Sequence, residues 1–168
     1  MFSLHVLFLL FALAVAIPSF DGTVRQSTIS SLVGPTAAYI EALPLAPKDT
    51  GTERRVHHLG LDPLGQPGNL TIVSDMQSLP LFYVYHNQLW QFNNETSILR
   101  VNSINSTEAT GYPIQLIAGS RAAGSKDGSW RWRGTMLYYD QGSLGNSGLY
   151  YHCRLADGTY GLFMFLRP

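Results

Sequence analysis

Trp130 and Trp132 stand two residues apart, with Arg131 and Arg133 alternating with them. On a β-strand this spacing puts both indoles on one face and both guanidinium groups on the other. Aromatic rings set side by side hold sugar rings, because sugar C–H groups pack on the negative face of the π-system. Gly128 and Gly134 leave room beside the pair, and Tyr138 and Tyr139 follow closely. A bulge at Gly134 would bring Tyr139 to the face of the tryptophans. Trp130, Trp132 and Tyr139 are therefore candidate ligand-binding residues, suited to a neutral glycan. The competing reading sends both indoles into the core and the arginines to water. Arg131 and Arg133 could then form an anion site, although two charges are too few to name the anion.

No other constellation carries chemistry. There is no G-x-S-x-G elbow, H-E-x-x-H pair or phosphate-binding loop. Asp21, Asp49, Asp62, Asp127 and Asp157 sit beside Gly, Pro or Lys, where solvated turn acids belong. No spacing pairs Glu41, Asp75 and Asp140 for glycoside hydrolysis. His57-His58 with Asp62 would chelate a metal poorly, since adjacent loop residues do not converge. His152 and Cys153 are strand neighbours and point to opposite faces, which defeats a nucleophile–base pair. No catalytic residue, metal ligand or cofactor is assigned, and the expectation is a binding protein and not an enzyme.

The elements that position the aromatic–arginine segment belong to a charge-poor chain. It has 168 residues, 11 Lys+Arg against 11 Asp+Glu, 45% hydrophobic and 13% charged. That balance excludes a disordered tail and offers no basic excess for nucleic acid. The one cysteine, Cys153, excludes an intramolecular disulfide. Leu4 to Ala16 is an apolar run too short to span a bilayer, and it ends in Ala14-Val15-Ala16. Residues 1–16 read as a secretory signal peptide, 17–35 as a loosely ordered arm, and 36–168 as a single domain. No later run reaches membrane-spanning length, so the expected location is extracellular. Asn69, Asn94 and Asn105 open Asn-x-Ser/Thr sequons and are candidate glycosylation sites. Arg54-Arg55 reads as a solvated pair, with dibasic processing as the alternative.

Short β-branched and aromatic runs separated by turns predict an all-β barrel or sandwich. Expected strands are Leu70–Val73, Leu81–His86, Gln88–Asn93, Ile98–Val101, Pro113–Ile117, Trp130–Tyr139, Gly148–Leu155 and Tyr160–Leu166. Residues 36–45 read as a short strand or a helical turn, and 47–68 as a long surface connection. Asp157-Gly158 predicts a type I′ hairpin. Leu149, Tyr151, Cys153 and Leu155 are expected on one face, with Cys153 in the core. The final strand is apolar on both faces, which predicts a central position.

Gln88-x-Trp90 resembles the Gln-x-Trp signature of ricin-type lectins, whose Trp packs in the core of a β-trefoil. Thr96 to Arg100 and Gly111 to Leu116 resemble two neighbouring strands of that family's repeat. The resemblance covers about 50 residues and one of three repeats, so it implies a β-trefoil-like fold and a core Trp90. The segment Trp130 to Phe165 resembles small secreted fungal proteins of uncharacterised function. The reading is a secreted, N-glycosylated, all-β binding protein. Extracellular or cell-wall glycans are its expected partners, with a protease inhibitor or a structural extracellular glycoprotein as alternatives. An inhibitory loop would be sought at Gln141–Ser147 or Pro63–Gly68.

Overall fold

The computed structural model describes residues 37–44, 56–74, 79–94, 97–105 and 113–168. The signal segment, the arm over 17–35, Arg54-Arg55 and Asp75 lie outside them. The described chain is all-β. Its strands are β1 (Glu41–Ala42), β2 (His57–Asp62), β3 (Gly68–Ser74), β4 (Leu81–Tyr85), β5 (Gln88–Asn94) and β6 (Ser97–Asn105). They continue with β7 (Ile114–Gly119), β8 (Gly128–Arg133), β9 (Met136–Gln141), β10 (Leu144–Gly145), β11 (Tyr151–Arg154) and β12 (Tyr160–Met164). β2 falls inside the segment expected to be a surface connection. Its Leu59 and Leu61 are buried at 4% and 3% exposure, and the Pro- and Gly-rich flanks hide that short alternation.

One antiparallel sheet runs in the order β1-β2-β3-β7-β6-β5-β4. Its two ends meet. Ala38 exchanges two backbone hydrogen bonds with Phe82 of β4 (2.8 and 2.9 Å), and Leu59 N of β2 donates to Ile40 O at 2.8 Å. The same short segment thus touches both ends of the sheet, which curls around one apolar cluster. Between β2 and β3, Gly60 makes room for Val73, since a Cβ on it would lie 2.8 Å from Val73 Cγ2. The strand order does not by itself show the three like units of a β-trefoil.

The sheet forks at β7. Ile117 and Ala118 pair with Asn69 and Gly68 of β3, whereas Ile114, Gln115 and Leu116 pair with β12. β12 therefore lies between β7 and β11, the central position its two apolar faces predict. β11 lies outside it and is exposed along its length. Cys153 is a free, exposed thiol rather than a core residue. Neither face of β11 is buried, and on the face opposite Cys153 the polar groups find partners. Tyr150 Oη donates to Leu137 O at 3.0 Å, and His152 Nε2 meets Thr71 Oγ1 of β3 at 2.9 Å. Desolvation of that ring, with His57 nearby, holds the His152 pKa below the ordinary histidine range.

Turn chemistry matches the chain locally. His86 and Asn87 have φ of 48° and 59° in the two-residue loop between Tyr85 and Gln88, the type I′ signature. Asp157-Gly158 does join β11 to β12, but in a different turn. Gly158 alone has positive φ, 88°, with Gly158 N donating to Leu155 O and Leu155 N to Thr159 O. This is a type I turn closed by a glycine bulge.

Trp130–Tyr139 is a hairpin and not one strand. Gly134, at φ 59°, with Thr135 makes its two-residue turn, and Trp130 pairs with Tyr139, Arg131 with Tyr138. β8 and β9 form a second sheet with β10. Trp130 N donates to Asn87 O at 2.7 Å, and Ser103 Oγ and Tyr139 Oη share a hydrogen bond of 2.8 Å, so this sheet is pinned onto the curled one.

The face of each tryptophan is thereby decided. Trp130 and Tyr139 are 2% and 1% exposed and meet edge to face at 4.8 Å. Neither offers a ring to a ligand, which corrects their assignment as sugar-contacting residues. Trp132 is half-buried and packs against the same core. Trp90, expected in the core, is half-buried on the outer side, because Leu89 and Gln91 take the inner face opposite Val84 and Phe82. Its Nε1 donates to Tyr85 O at 3.4 Å, and Arg100 lies 6.0 Å from its ring. Truncation should separate the two residues. Trp130→Ala is expected to cost about 3–5 kcal/mol in urea unfolding, and Trp90→Ala no more than about half of that.

Candidate functional site

The strand parity that buries Trp130 turns Arg131 and Arg133 outward. Tyr138, opposite Arg131, shares that face, as does Asp140. The Arg133 and Arg131 guanidinium carbons lie 5.0 and 5.7 Å from the Tyr138 ring centroid, within cation–π range. Arg131 Nε donates to Asp140 Oδ2 in a close ion pair. That hydrogen bond, and after it the charges of Arg131 and Arg133, hold the Asp140 carboxyl below the ordinary aspartate range, with desolvation opposing them.

These side chains line one wall of an open cleft of about 690 Å3. The rest of the lining is Gly142, Ser143, Leu144, Gly145 and Ser147 together with Arg167 and Pro168. Gly142, φ 60°, turns β9 into β10 through a two-residue loop between Gln141 and Leu144. Gly145 N donates to Arg167 O at 2.8 Å and Arg167 N to Gly145 O at 2.9 Å, which brings the third arginine to the rim. Gly145 also makes space for the acid, since a Cβ there would stand 2.8 Å from Asp140 Oδ1.

Asn146 fixes the wall from behind. It is 3% exposed, and its Oδ1 accepts from Tyr139 N at 3.0 Å and from Gly148 N at 3.1 Å. Ser147 and Gly148 both take positive φ, 53° and 72°, so the chain reverses here, with Asn146 Oδ1 paired and its buried Nδ2 left without a partner. Beneath the hairpin, burial raises the Tyr150 phenol pKa and keeps it a neutral donor to Leu137 O. The cleft therefore rests on strands and held turns.

Of the residues singled out from the sequence, the structure brings Arg131 and Arg133 to one site. It sends Trp130 and Tyr139 behind that site, and adds Tyr138, Asp140 and Arg167. Arg167 carries no local signal, because only the pairing of the chain end with β10 places it there. Gln141–Ser147 was readable as a loop and proves to be a hairpin turn, a strand and the Asn146 turn. Elsewhere, Asn69 lies within β3 between partners Asp62 and Ile117, its Oδ1 accepting from Gln115 Nε2 at 2.9 Å. Asn94 ends β5 and is exposed, and Asn105 ends β6, backbone-paired with Ile114. Among the described residues no three His, Cys, Asp or Glu side chains are placed to hold a metal ion.

Comparison with protein-family models, with curated proteins and with solved structures gives no match to this chain. Its function is argued from the cleft itself.

The ion pair gives the site a titration signature. Asp140 favours the folded state above its unfolded pKa, and that contribution is lost as pH falls through its lowered folded value. By carbon-detected NMR, Asp140 should titrate below the ordinary aspartate range. Arg131→Ala should move its midpoint upward, towards that range.

Proposed function

We propose that this is a secreted, N-glycosylated protein whose β domain binds carbohydrate in the Arg131–Tyr138–Arg167 cleft. One observation carries the reading: a tyrosine ring at the cleft is accompanied by planar guanidinium donors and the hydroxyls of Ser143 and Ser147. Saccharides present both C–H faces and fixed arrays of hydroxyls, and such a mixed aromatic–polar wall answers both. The ligand surface is thus proposed one strand face away from the tryptophans that the sequence suggested. A shallow, open site of this kind suits extracellular or cell-wall glycans, which present only a few sugar units to a protein surface.

The inhibitor reading has less support. A rigid inhibitory loop must present extended backbone to a protease, whereas Pro63–Gly68 closes a turn with Gly65 at φ 67°. Asn93 Nδ2 holds that turn by donating to Gly65 O at 2.7 Å. The lectin resemblance around Gln88-x-Trp90 contributes the ligand class only; the site proposed here lies on different strands.

Binding is tested with immobilised and soluble plant and fungal cell-wall oligosaccharides. Tyr138→Ala is expected to weaken binding by about tenfold, while Trp90→Phe, on the far sheet, leaves it within a factor of two. Absence of binding to every glycan class would remove the reading.

Glycosylation is tested separately. Asn94 and Asn105 end strands beside connections, and the low charge of the chain makes attached glycans useful for solubility. Material secreted from a glycosylating host is expected to lose at least two glycans' mass on enzymatic deglycosylation. Asn94→Gln and Asn105→Gln should each remove one glycan.

A further inference from the structure

The charge of the cleft is specific to it. The chain as a whole is neutral, with 11 basic and 11 acidic residues. Yet Arg131, Arg133 and Arg167 border this one cleft against the single side-chain carboxylate of Asp140. Asp140 is hydrogen-bonded to Arg131 and shares only its longer-range charge with Arg133. Neither Arg133 nor Arg167 has a side-chain hydrogen bond or ion pair with another described residue. Both are held at fixed places: Arg133 ends β8 immediately before its turn and lies against Tyr138, and Arg167 is locked to Gly145 by paired backbone bonds.

Three arginine side chains against one aspartate leave the side-chain lining with a positive excess, which an oxyanion would offset. Guanidinium forks match the oxygens of a carboxylate or a sulfate bidentately, with geometric as well as electrostatic selectivity. We infer that the cleft recognises the acidic substituent of a saccharide, a carboxylate or a sulfate group, through Arg133 and Arg167. Arg131, neutralised by Asp140, is a positioning residue that holds Tyr138 and the hairpin face. This inference rests on the carbohydrate reading of the same cleft and names the chemistry of the sugar it takes.

The test uses the full secreted, glycosylated protein and calorimetric titration at about 50 mM salt, where screening is weak. Four probes are compared: a galacturonic acid tetramer, a sulfated galactose tetramer, the neutral galactose tetramer and sodium sulfate. At least one acidic tetramer is expected to bind about tenfold or more tighter than the neutral one, with the advantage shrinking as salt rises. Arg133→Gln and Arg167→Gln should each erase about tenfold of it, whereas Arg121→Gln, outside the cleft, should not. Arg133→Lys, which keeps the charge and loses the fork, should fall between. The two acidic tetramers separate the two sources, since the one that binds more tightly names the group the arginines take. Equal binding of neutral and acidic tetramers would overturn the inference and leave the carbohydrate reading standing. Sodium sulfate binding as tightly as the tetramers, or no binding by any tetramer, would overturn both. Retained acidic preference in folded Arg133→Gln and Arg167→Gln, checked by thermal melting, would overturn the inference alone.

Discussion

The structure depends on one closure. Ala38 is bonded to β4 and Ile40 to β2, so the two ends of the sheet are joined by a segment only a few residues long. At ~3.5 Å per extended residue, that segment cannot keep the ends more than about 10 Å apart. The intervening strands have to curl, and curling creates an interior that the concave faces of β2 to β7 do not fill by themselves. The β8–β9 hairpin supplies the missing volume. Trp130, Leu137 and Tyr139 enter the cluster that also contains Leu70, Phe82 and Leu116. Gly128 shows how closely the insertion fits, since any side chain there would overlap the Tyr139 hydroxyl region. The cleft on the outside of the hairpin is therefore held by the packing on its inside.

The fork at β7 is the second constraint. A strand has one edge on each side, and here β3 and β12 share the same edge by dividing its length. That division frees the end of β3 to meet β11, where the His152–Thr71 hydrogen bond forms. It also leaves β11 with a partner on one side only, which exposes Cys153 despite its apolar neighbours in sequence. The tail beyond β12 is then directed to Gly145, and Arg167 arrives at the cleft by that route.

The sequence made some of this legible and concealed the rest for definable reasons. Short β-branched and aromatic runs exposed the hairpin of β4 and β5 and the β7 strand, and two apolar faces exposed the central place of β12, because these are local properties. It misassigned parity at Trp90 and Cys153, where size and hydrophobicity favoured the wrong face. The buried face carries Gln91 in the first case, and in the second β11 is exposed on both faces. Gln91 keeps one buried oxygen without a partner, an arrangement no propensity would suggest. The reading of Trp130–Tyr139 as one strand failed because Gly134-Thr135 is a sparse turn signal between two aromatic runs. At the site, Arg131 and Arg133 were visible as an alternating pair. Tyr138 and Asp140, noted in the sequence for other roles, join the arginines through cross-strand register, and Arg167 does so through tertiary pairing.

The two-sidedness of the β8–β9 hairpin has a consequence for how such a protein can change. Residues that hold the fold and residues that face the cleft alternate along the same short stretch. Positions 131, 133, 138 and 140 have the outward parity, opposite the buried Trp130, Leu137 and Tyr139, so substitutions there act first on the outer face. Specificity and stability are thus separable in sequence space at single-residue resolution. A library randomised at the outward positions alone would sample new ligands on an unchanged scaffold, which makes this hairpin a natural place to redirect the protein.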